Sequence, residues 1–437
     1  MTRLLLALIL LLALPVAAQA RPGDPDRRFG RQGTVSLKAT NADAVGGAVK
    51  VLSGNRVLAG GAASGQFVIV RLRPSGSLDS RFGTAGQVVP ALPGTSLDGV
   101  RALATFRDGR IVAAGTLRLA DGTTRMVAIR MLPTGEIDPS FGAGLGYVQA
   151  GPAGAVLGAM TMDRGGNVIL GGSRQNAGVE VPIVIRLLPD GTPDPAFAGT
   201  GTFEGVTLTL GGRVTSLLAR PEGTLLFTVG GTATTAYPAT FSTVRLLPTG
   251  APDPTFASTG VSQITLSPLS GVGVGAQAIR TGPGGRFLVA GTDLTENSTA
   301  RGAVIRLRPD GALDDRFGGR GVTRISRRAD EIRITGMVRD RQGRIVLSGS
   351  GRPPNALVVR LRGNGRRDTS FGSGGITFPR LGRPPGGEAI YTTLTAVDVM
   401  GSRAIIAGSA AGPGVFTRQE TGTLYTGRFA LTVSKLQ

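Results

Sequence analysis

Cysteine, histidine and tryptophan are missing from all 437 residues. Without Cys there is no disulfide framework, no thiol nucleophile and no lipid-attachment site. Without His the commonest general base and metal ligand are gone, and with them any Ser-His-Asp triad. Zinc sites lose both of their usual donors. Lysine is nearly absent too. Lys38, Lys50 and Lys435 are the only ones, which argues against an amine nucleophile. Aromatics make up 5 %, too few for a sugar-stacking site. No Walker-type loop occurs, and Gly-rich runs such as Gly271–Gly275 lack the strand-then-helix setting of a dinucleotide site. The adjacent carboxylate pairs Asp314-Asp315 and Asp330-Glu331 point to opposite sides of an extended chain and do not cooperate as acid and base. No cofactor and no metal are expected.

Glycine and basic residues are plentiful. There are 70 Gly and 27 Pro, short of the roughly 25–30 % that marks low complexity, and the glycines are periodic. Lys and Arg number 48 against 28 Asp and Glu, a net charge of +20. Such a charge favours anionic partners. An arginine-rich composition with structural pairing is the plainer explanation.

Residues 1–20 read as a signal peptide. Arg3 is followed by an apolar run, Leu4 to Leu14, too short to span a bilayer, and then by Ala18-Gln19-Ala20. A mature chain from Arg21, with no later span, is expected in a bacterial periplasm or outside the cell. Residues 21–437 form one domain.

One phrase recurs through that domain: Val-Arg-Leu-x-Pro-x-Gly-x-x-Asp-x-x-Phe-Gly-x-x-Gly. Its Phe markers are Phe29, Phe82, Phe141, Phe197, Phe256, Phe317 and Phe371, 53 to 61 residues apart. That period marks a solenoid or propeller. Between markers, short alternating segments and Gly turns give four strands per unit. Asp108-Gly109, for example, separates Val100–Ala104 from Arg110–Gly115. No helical period is sustained. The reading is all-β, a seven-bladed β-propeller of four-stranded blades. A parallel β-helix has much shorter rungs.

Within the phrase, residues equidistant from the turn face each other, so Arg71 lies opposite Asp79. The same offset pairs Arg130 with Asp138, Arg186 with Asp194, Arg245 with Asp253, Arg306 with Asp314 and Arg360 with Asp368. Such a pair stabilises a ladder by roughly 0.2–1 kcal/mol. The Phe reads as a core plug. The seventh copy is split between the chain ends. Asp26 stands near the start, and Lys435 lies in the last strand. The strand around Thr34–Leu37 is therefore expected to pair beside Phe429–Leu436 and close the ring.

The phrase Arg71-Leu72-Arg73-Pro74-Ser75-Gly76-Ser77-Leu78-Asp79-Ser80-Arg81-Phe82-Gly83 and its relatives resemble the delta-60 repeat family, a propeller-like tandem repeat of bacterial exported proteins. Phe197-Ala198 and Phe256-Ala257 depart from Phe-Gly. The resemblance implies a propeller fold and an exported setting, and brings no catalytic residues.

The loops indicate where a function sits. The first-to-second and third-to-fourth turns are short and uniform, and no specific site is expected on the face they form. The opposite face carries the variable segments 116–125, 173–182, 231–239, 292–302 and 409–427, and binding residues favour such loops. Its candidates are Arg118, Arg174, Arg327, Arg328, Arg352, Arg380, Arg383 and Arg418, with the aromatics Tyr237, Phe416 and Tyr425. The expected role is a non-catalytic binding or scaffold module for a protein or an anionic cell-envelope polymer, monomeric, with nucleic acid disfavoured for want of stacking aromatics. A propeller-type lyase or hydrolase over the central channel is the alternative, and adhesion through charge alone is a third reading.

Overall fold

In the computed structural model, residues 21–37, 44–208, 211–231, 236–272, 274–327, 331–351, 356–379, 391–411, 415–419, 422–426 and 429–437 are described. The proposed signal peptide, residues 1–20, lies outside them. No helix among the described residues is long and apolar enough to cross a membrane.

The described chain is strand and turn, with three short 3-10 turns. β1 is Thr34–Leu37. The strands β2–β5 follow at Ala44–Val51, Val57–Ala63, Gln66–Leu72 and Gln87–Val88. β6–β9 are Thr95–Thr105, Ile111–Arg118, Thr124–Met131 and Tyr147–Ala150, and β10–β13 are Val156–Met162, Val168–Asn176, Val179–Leu187 and Thr202–Glu204. β14–β17 cover Arg213–Ala219, Leu225–Gly230, Ala236–Leu246 and Val261–Val272. β18–β21 cover Gly275–Thr281, Phe287–Leu294, Ala300–Leu307 and Val322–Ile325. β22–β25 are Arg333–Arg339, Ile345–Ser350, Ala356–Leu361 and Ile376–Thr377. The last strands, β26–β30, are Tyr391–Met400, Arg403–Ala411, Val415–Gln419, Gly422–Thr426 and Phe429–Leu436.

The fold is an all-β propeller, but not a ring of seven equal, separate blades. Five four-stranded sheets stand alone: β2–β5, β6–β9, β10–β13, β22–β25, and β1 with β30, β27 and β26. The eight strands β14–β21 belong to one sheet, and β28 with β29 forms a separate ribbon. The joint in the large sheet is a single pair, Gly230 in β15 opposite Gly275 in β18. Missing side chains permit it. A Cβ on Gly230 would lie 2.2 Å from the Ala276 carbonyl oxygen, and one on Gly275 would lie 2.7 Å from that of Thr240. The repeat phrase contains neither glycine, so its regularity predicts seven equal sheets where two are fused.

The first strand of each unit is innermost, beside its counterparts: β2 next to β6 and β26, β14 next to β10 and β18. Each of these strands carries a register shift at the same depth, for example between Gly46 and Ala48 and between Ala276 and Ala278. The bulge bends the strand where it meets the next unit. Thr215 Oγ1 there donates to the Ala276 carbonyl at 2.9 Å, and Thr335 Oγ1 to that of Leu394 at 2.7 Å. Core clusters lie between neighbouring sheets. Leu58 and Phe82 pack with Ile111 and Ile129, and Val346 and Phe371 pack with Leu394 and Ile406. Middle strands are buried on both faces, which explains their near-continuous apolar runs.

The chain ends share a sheet. β1 pairs with β30, Thr34 opposite Ser434 and Leu37 opposite Leu431. Backbone bonds continue the match, from Gly23 N–H to the Gln437 carbonyl at 2.6 Å and from Gln437 N–H to that of Asp24 at 2.8 Å.

The repeated phrase is a clasp between units. Arg71 Nε donates to Asp79 Oδ2 at 2.8 Å, and the ion pairs at Arg130, Arg186, Arg245, Arg306 and Arg360 span 2.7 to 2.8 Å. Each guanidinium lies 4.5 to 5.0 Å above the ring of its Phe, and each of those rings is buried. A second guanidinium nitrogen reaches the next unit. Arg71 donates to the Pro133 carbonyl at 2.6 Å, Arg186 to Pro248 and Arg245 to Pro309 at 2.8 Å, and Arg130 to Pro189. At the split copy Lys435 Nζ meets Asp26 at 3.0 Å. The residue after each Phe adds a backbone bond to the next turn, such as Gly83 N–H to Thr134 at 2.7 Å and Gly372 N–H to Pro22 at 2.7 Å. Gly135, at φ +94°, is held glycine by this contact, since a Cβ there would sit 2.7 Å from Gly83 N.

Burial pushes the clasp carboxyls up, but hydrogen bonds and the paired cations outweigh it. Asp26, Asp79, Asp138, Asp253, Asp314 and Asp368 are held below the usual carboxylate pKa. Their folded-state values are depressed, so the stabilisation is present above the unfolded value of about 4 and is lost as pH falls through the folded values. Calorimetry from neutral to acid pH is expected to show little change in Tm down to about pH 5 and a fall below about pH 4. A Tm unchanged at the acid end would remove the clasp from the stability account.

Candidate binding face

The variable segments are largely strand extensions. In 173–182 the pairs run Ser173–Pro182, Arg174–Val181, Gln175–Glu180 and Asn176–Val179. In 292–302 they run Thr292–Gly302, Asp293–Arg301 and Leu294–Ala300. Arg118 pairs with Thr124, so 116–125 narrows to a tight turn. The expected loop face is therefore a set of projecting hairpins. Their polar residues hide the alternation that would have marked them as strands.

One hairpin forms a groove. Leu266 and Ser267 of β17 face Leu294, Thr295, Glu296, Asn297 and Arg301 around a space of about 420 Å³. Leu294 is buried, and Glu296 and Asn297 are exposed at the turn. Beneath lies Asp293, fully buried. Its Oδ1 accepts from Leu294 N–H at 2.8 Å, and its Oδ2 from Arg301 Nε at 2.8 Å and Arg324 Nε at 3.2 Å. Arg301 and Arg324 share the Asp293 carboxylate, and Glu296 on the rim balances the second guanidinium, so the site is neutral overall, with donors and acceptors beside Leu266 and Leu294. That combination suits a ligand with acceptor groups and an apolar side. A second cluster pins the β11–β12 hairpin. Ser173 Oγ donates to Glu180 Oε1 at 2.5 Å, and Arg213 Nε lies 3.4 Å from the same oxygen.

The candidate residues are scattered. Arg118 is exposed and donates to the Gly122 carbonyl at 3.3 Å. Arg174 is bound to Glu204 at 2.7 Å, which raises its pKa. Arg327 is exposed, 4.9 Å over the Phe378 ring. Tyr237 stands in β16 opposite Gly271. Phe416 and Tyr425 are register partners in the β28–β29 ribbon, and Arg418 is opposite Thr423. Arg328, Arg352, Arg380 and Arg383 lie outside the described residues. None of the placed candidates lines the groove. The residues that do include Arg301, over the buried Asp293, and a signal for that pair existed. Asp293 and Arg301 are eight apart around a turn, the offset of the clasp pairs.

The inner strands carry few charges. Lys50 Nζ lies 3.4 Å from Asp398 Oδ2, and Asp398 also accepts from Val51 N–H and Val399 N–H at 2.8 Å. Arg280 Nη1 donates to the Ile279 carbonyl at 2.7 Å and reaches Ser216 Oγ at 3.4 Å. Burial lowers its pKa, and the Asp398 charge partly restores it. No cluster of three or more carboxylates with metal-ligating geometry occurs among the described residues.

Fold and clasp together define a β-propeller repeat protein. Five stretches, residues 55–82, 107–141, 166–197, 223–256 and 283–317, match the family described as "Domain of unknown function (DUF5122) beta-propeller". They support a propeller-type repeat family. No curated protein matches the sequence. Among solved structures the chain is similar to virginiamycin B lyase from Staphylococcus aureus, at 11% identity and a TM-score of 0.44, covering 91% of this chain and 98% of that one. A protein from Lactobacillus plantarum aligns at 13% identity and a TM-score of 0.48, over 87% of this chain and 99% of that one. Sqt1 from Chaetomium thermophilum, solved with the N-terminus of a ribosomal protein, aligns at 10% and 0.43, over 87% and 81%. These similarities favour no one activity.

Proposed function

We propose that the protein is a non-catalytic binding propeller of the delta-60 repeat kind, exported to the periplasm or beyond. It engages a protein or an anionic cell-envelope polymer through its projecting hairpins. The groove beside Asp293 carries this reading. It combines the apolar Leu266 and Leu294, an exposed rim at Glu296 and Asn297, and the paired guanidiniums of Arg301 and Arg324, a mix of apolar and hydrogen-bonding groups suited to recognition. A lyase or hydrolase over the channel draws no support from Asp398, whose oxygens are engaged by Lys50 and two backbone N–H groups.

The test substitutes the exposed turn, Asn297→Trp, which fills the groove and leaves the Asp293 pairs intact. Immobilised wild type is expected to retain a discrete component of envelope extract. The variant, with unchanged Tm, should lose it by roughly tenfold or more, as a blocked hot spot does. Equal retention by both proteins would exclude the groove.

A further inference from the structure

The regular face has its own charge pattern. In the third-to-fourth turns the position two after the clasp Arg holds exposed Arg73, Arg308 and Arg362 in three units. In three others it holds half-buried Leu132, Leu188 and Leu247. The position before the Phe marker follows a similar division, except that Ser370 stands before Phe371 in the unit of Arg362. Arg28, Arg81 and Arg316 are exposed there, where Ser140, Ala196 and Thr255 stand in the second group. Arg27, Arg31, Arg320 and Arg366 add to the first group. These turns are neighbours in space. Gly318 N–H bonds to the Asn364 carbonyl at 3.0 Å, Gly372 N–H to Pro22 at 2.7 Å and Gly30 N–H to Ser75 at 2.6 Å. With Arg21, four consecutive turns thus carry eleven exposed arginines in one arc, against the exposed carboxylates Asp24, Asp310 and Asp315. The other three turns carry no exposed arginine, and they expose Glu136 and Asp190.

An arginine-rich composition alone would spread its charge around the repeat. Here the charge of the third-to-fourth turns is concentrated in one arc, although Arg107 and Arg164 are exposed in first-to-second turns of the other units. Nor is most of it tied into the fold, Arg73 and Arg308 excepted. Among the described residues the side chains of Arg27, Arg28, Arg31, Arg81, Arg316 and Arg320 make no hydrogen bond or ion pair, whereas the buried clasp arginines do. We propose that this arc is a docking surface for an anionic phospholipid bilayer, held by guanidinium–phosphate contacts. The shape of the face selects a planar partner. Its turns keep one offset from Arg to Asp, and the groove described above lies among the opposite hairpins. Among the described residues of its turns no aromatic pair is exposed to stack bases. Docking here would leave the hairpins facing away from the membrane.

The experiment is co-sedimentation of the mature chain with vesicles of phosphatidylcholine containing roughly 30 % phosphatidylglycerol, and with neutral vesicles. Binding is expected to the anionic vesicles alone, and to weaken about tenfold or more between low and high salt as the charges are screened. The variant Arg28→Glu/Arg81→Glu/Arg316→Glu should lose it. Ala196→Glu, at the matching position of the other arc and with no side-chain bond to lose, should bind as wild type. A Tm measurement on both variants verifies the fold, and unmutated protein in high salt gives a readout that needs no variant. Equal loss in both variants would overturn the proposal, as would absence of vesicle binding. Binding to a soluble acidic polysaccharide but not to vesicles would assign the arc to a polymer instead. The Asn297→Trp protein, altered on the opposite face, should still bind vesicles, so failure of the groove reading is separately visible.

Discussion

Replacing Arg130 with alanine is expected to destabilise the protein by about 3–5 kcal/mol, the usual loss on breaking a buried ion pair. Arg130 is 1% exposed and Asp138 is 3% exposed. The guanidinium holds Asp138 at 2.7 Å, Ser140 Oγ at 2.6 Å and the Pro189 carbonyl of the next unit, and lies 4.8 Å over Phe141. Alanine leaves a carboxylate and a carbonyl with unmet partners in a dry interface. Calorimetry should show Tm lower by roughly 5 °C. Arg130→Lys keeps the charge but lacks the fork to reach both units, so its Tm should fall between. Arg73→Ala removes an exposed side chain 3.9 Å from Asp79 and should change stability by less than about 0.5 kcal/mol. If Arg130→Ala and Arg73→Ala melt together, the clasp does not hold the units to each other.

The clasp was legible because it is local. Arg, turn, Asp and Phe fall within a dozen residues, so hairpin geometry alone pairs Arg71 with Asp79. Its energetic character was not legible. Read as a ladder pair it is worth a fraction of a kcal/mol, but in the structure it is buried and tied to a carbonyl 62 residues away. A backbone acceptor leaves no mark on the sequence, because every residue has one. The merger at Gly230 and Gly275 escaped for a related reason. Two glycines among 70 give no sign that they face each other. The hairpin segments failed differently. Their polar residues read as loops, and the Asp293–Arg301 pair went unnoticed although the clasp rule applied there would have found it. The arginine arc lies between these cases. Its residues can be read from the repeat, but their contiguity depends on which turns are neighbours.

The neighbour relation that matters most is the one between the chain ends. Deleting residues 21–37 is expected to destabilise the protein more than any single clasp substitution. The cut removes β1 from its four-residue pairing with β30, leaving an unpaired edge that invites association with other copies. It takes away Phe29, fully buried against Val49, Val57 and Ile405, and an aromatic lost from a core costs about 3–5 kcal/mol by itself. It also strips Asp26 from Lys435, which is 7% exposed, and removes the acceptor of Gly372 N–H and the donor to Ser75. The truncated chain should melt several degrees or more below residues 21–437, taking about 1 °C for each kcal/mol lost in a chain of this length, and should form dimers or aggregates at concentrations where the parent is unassociated. A synthetic peptide of residues 21–37 supplies the missing strand in trans. It should raise Tm in a concentration-dependent way, because a ligand that binds only the folded state stabilises by mass action. The same peptide with Phe29→Ala should be much weaker. A truncated protein that melts with residues 21–437 would show that the pairing of the ends does not secure the propeller.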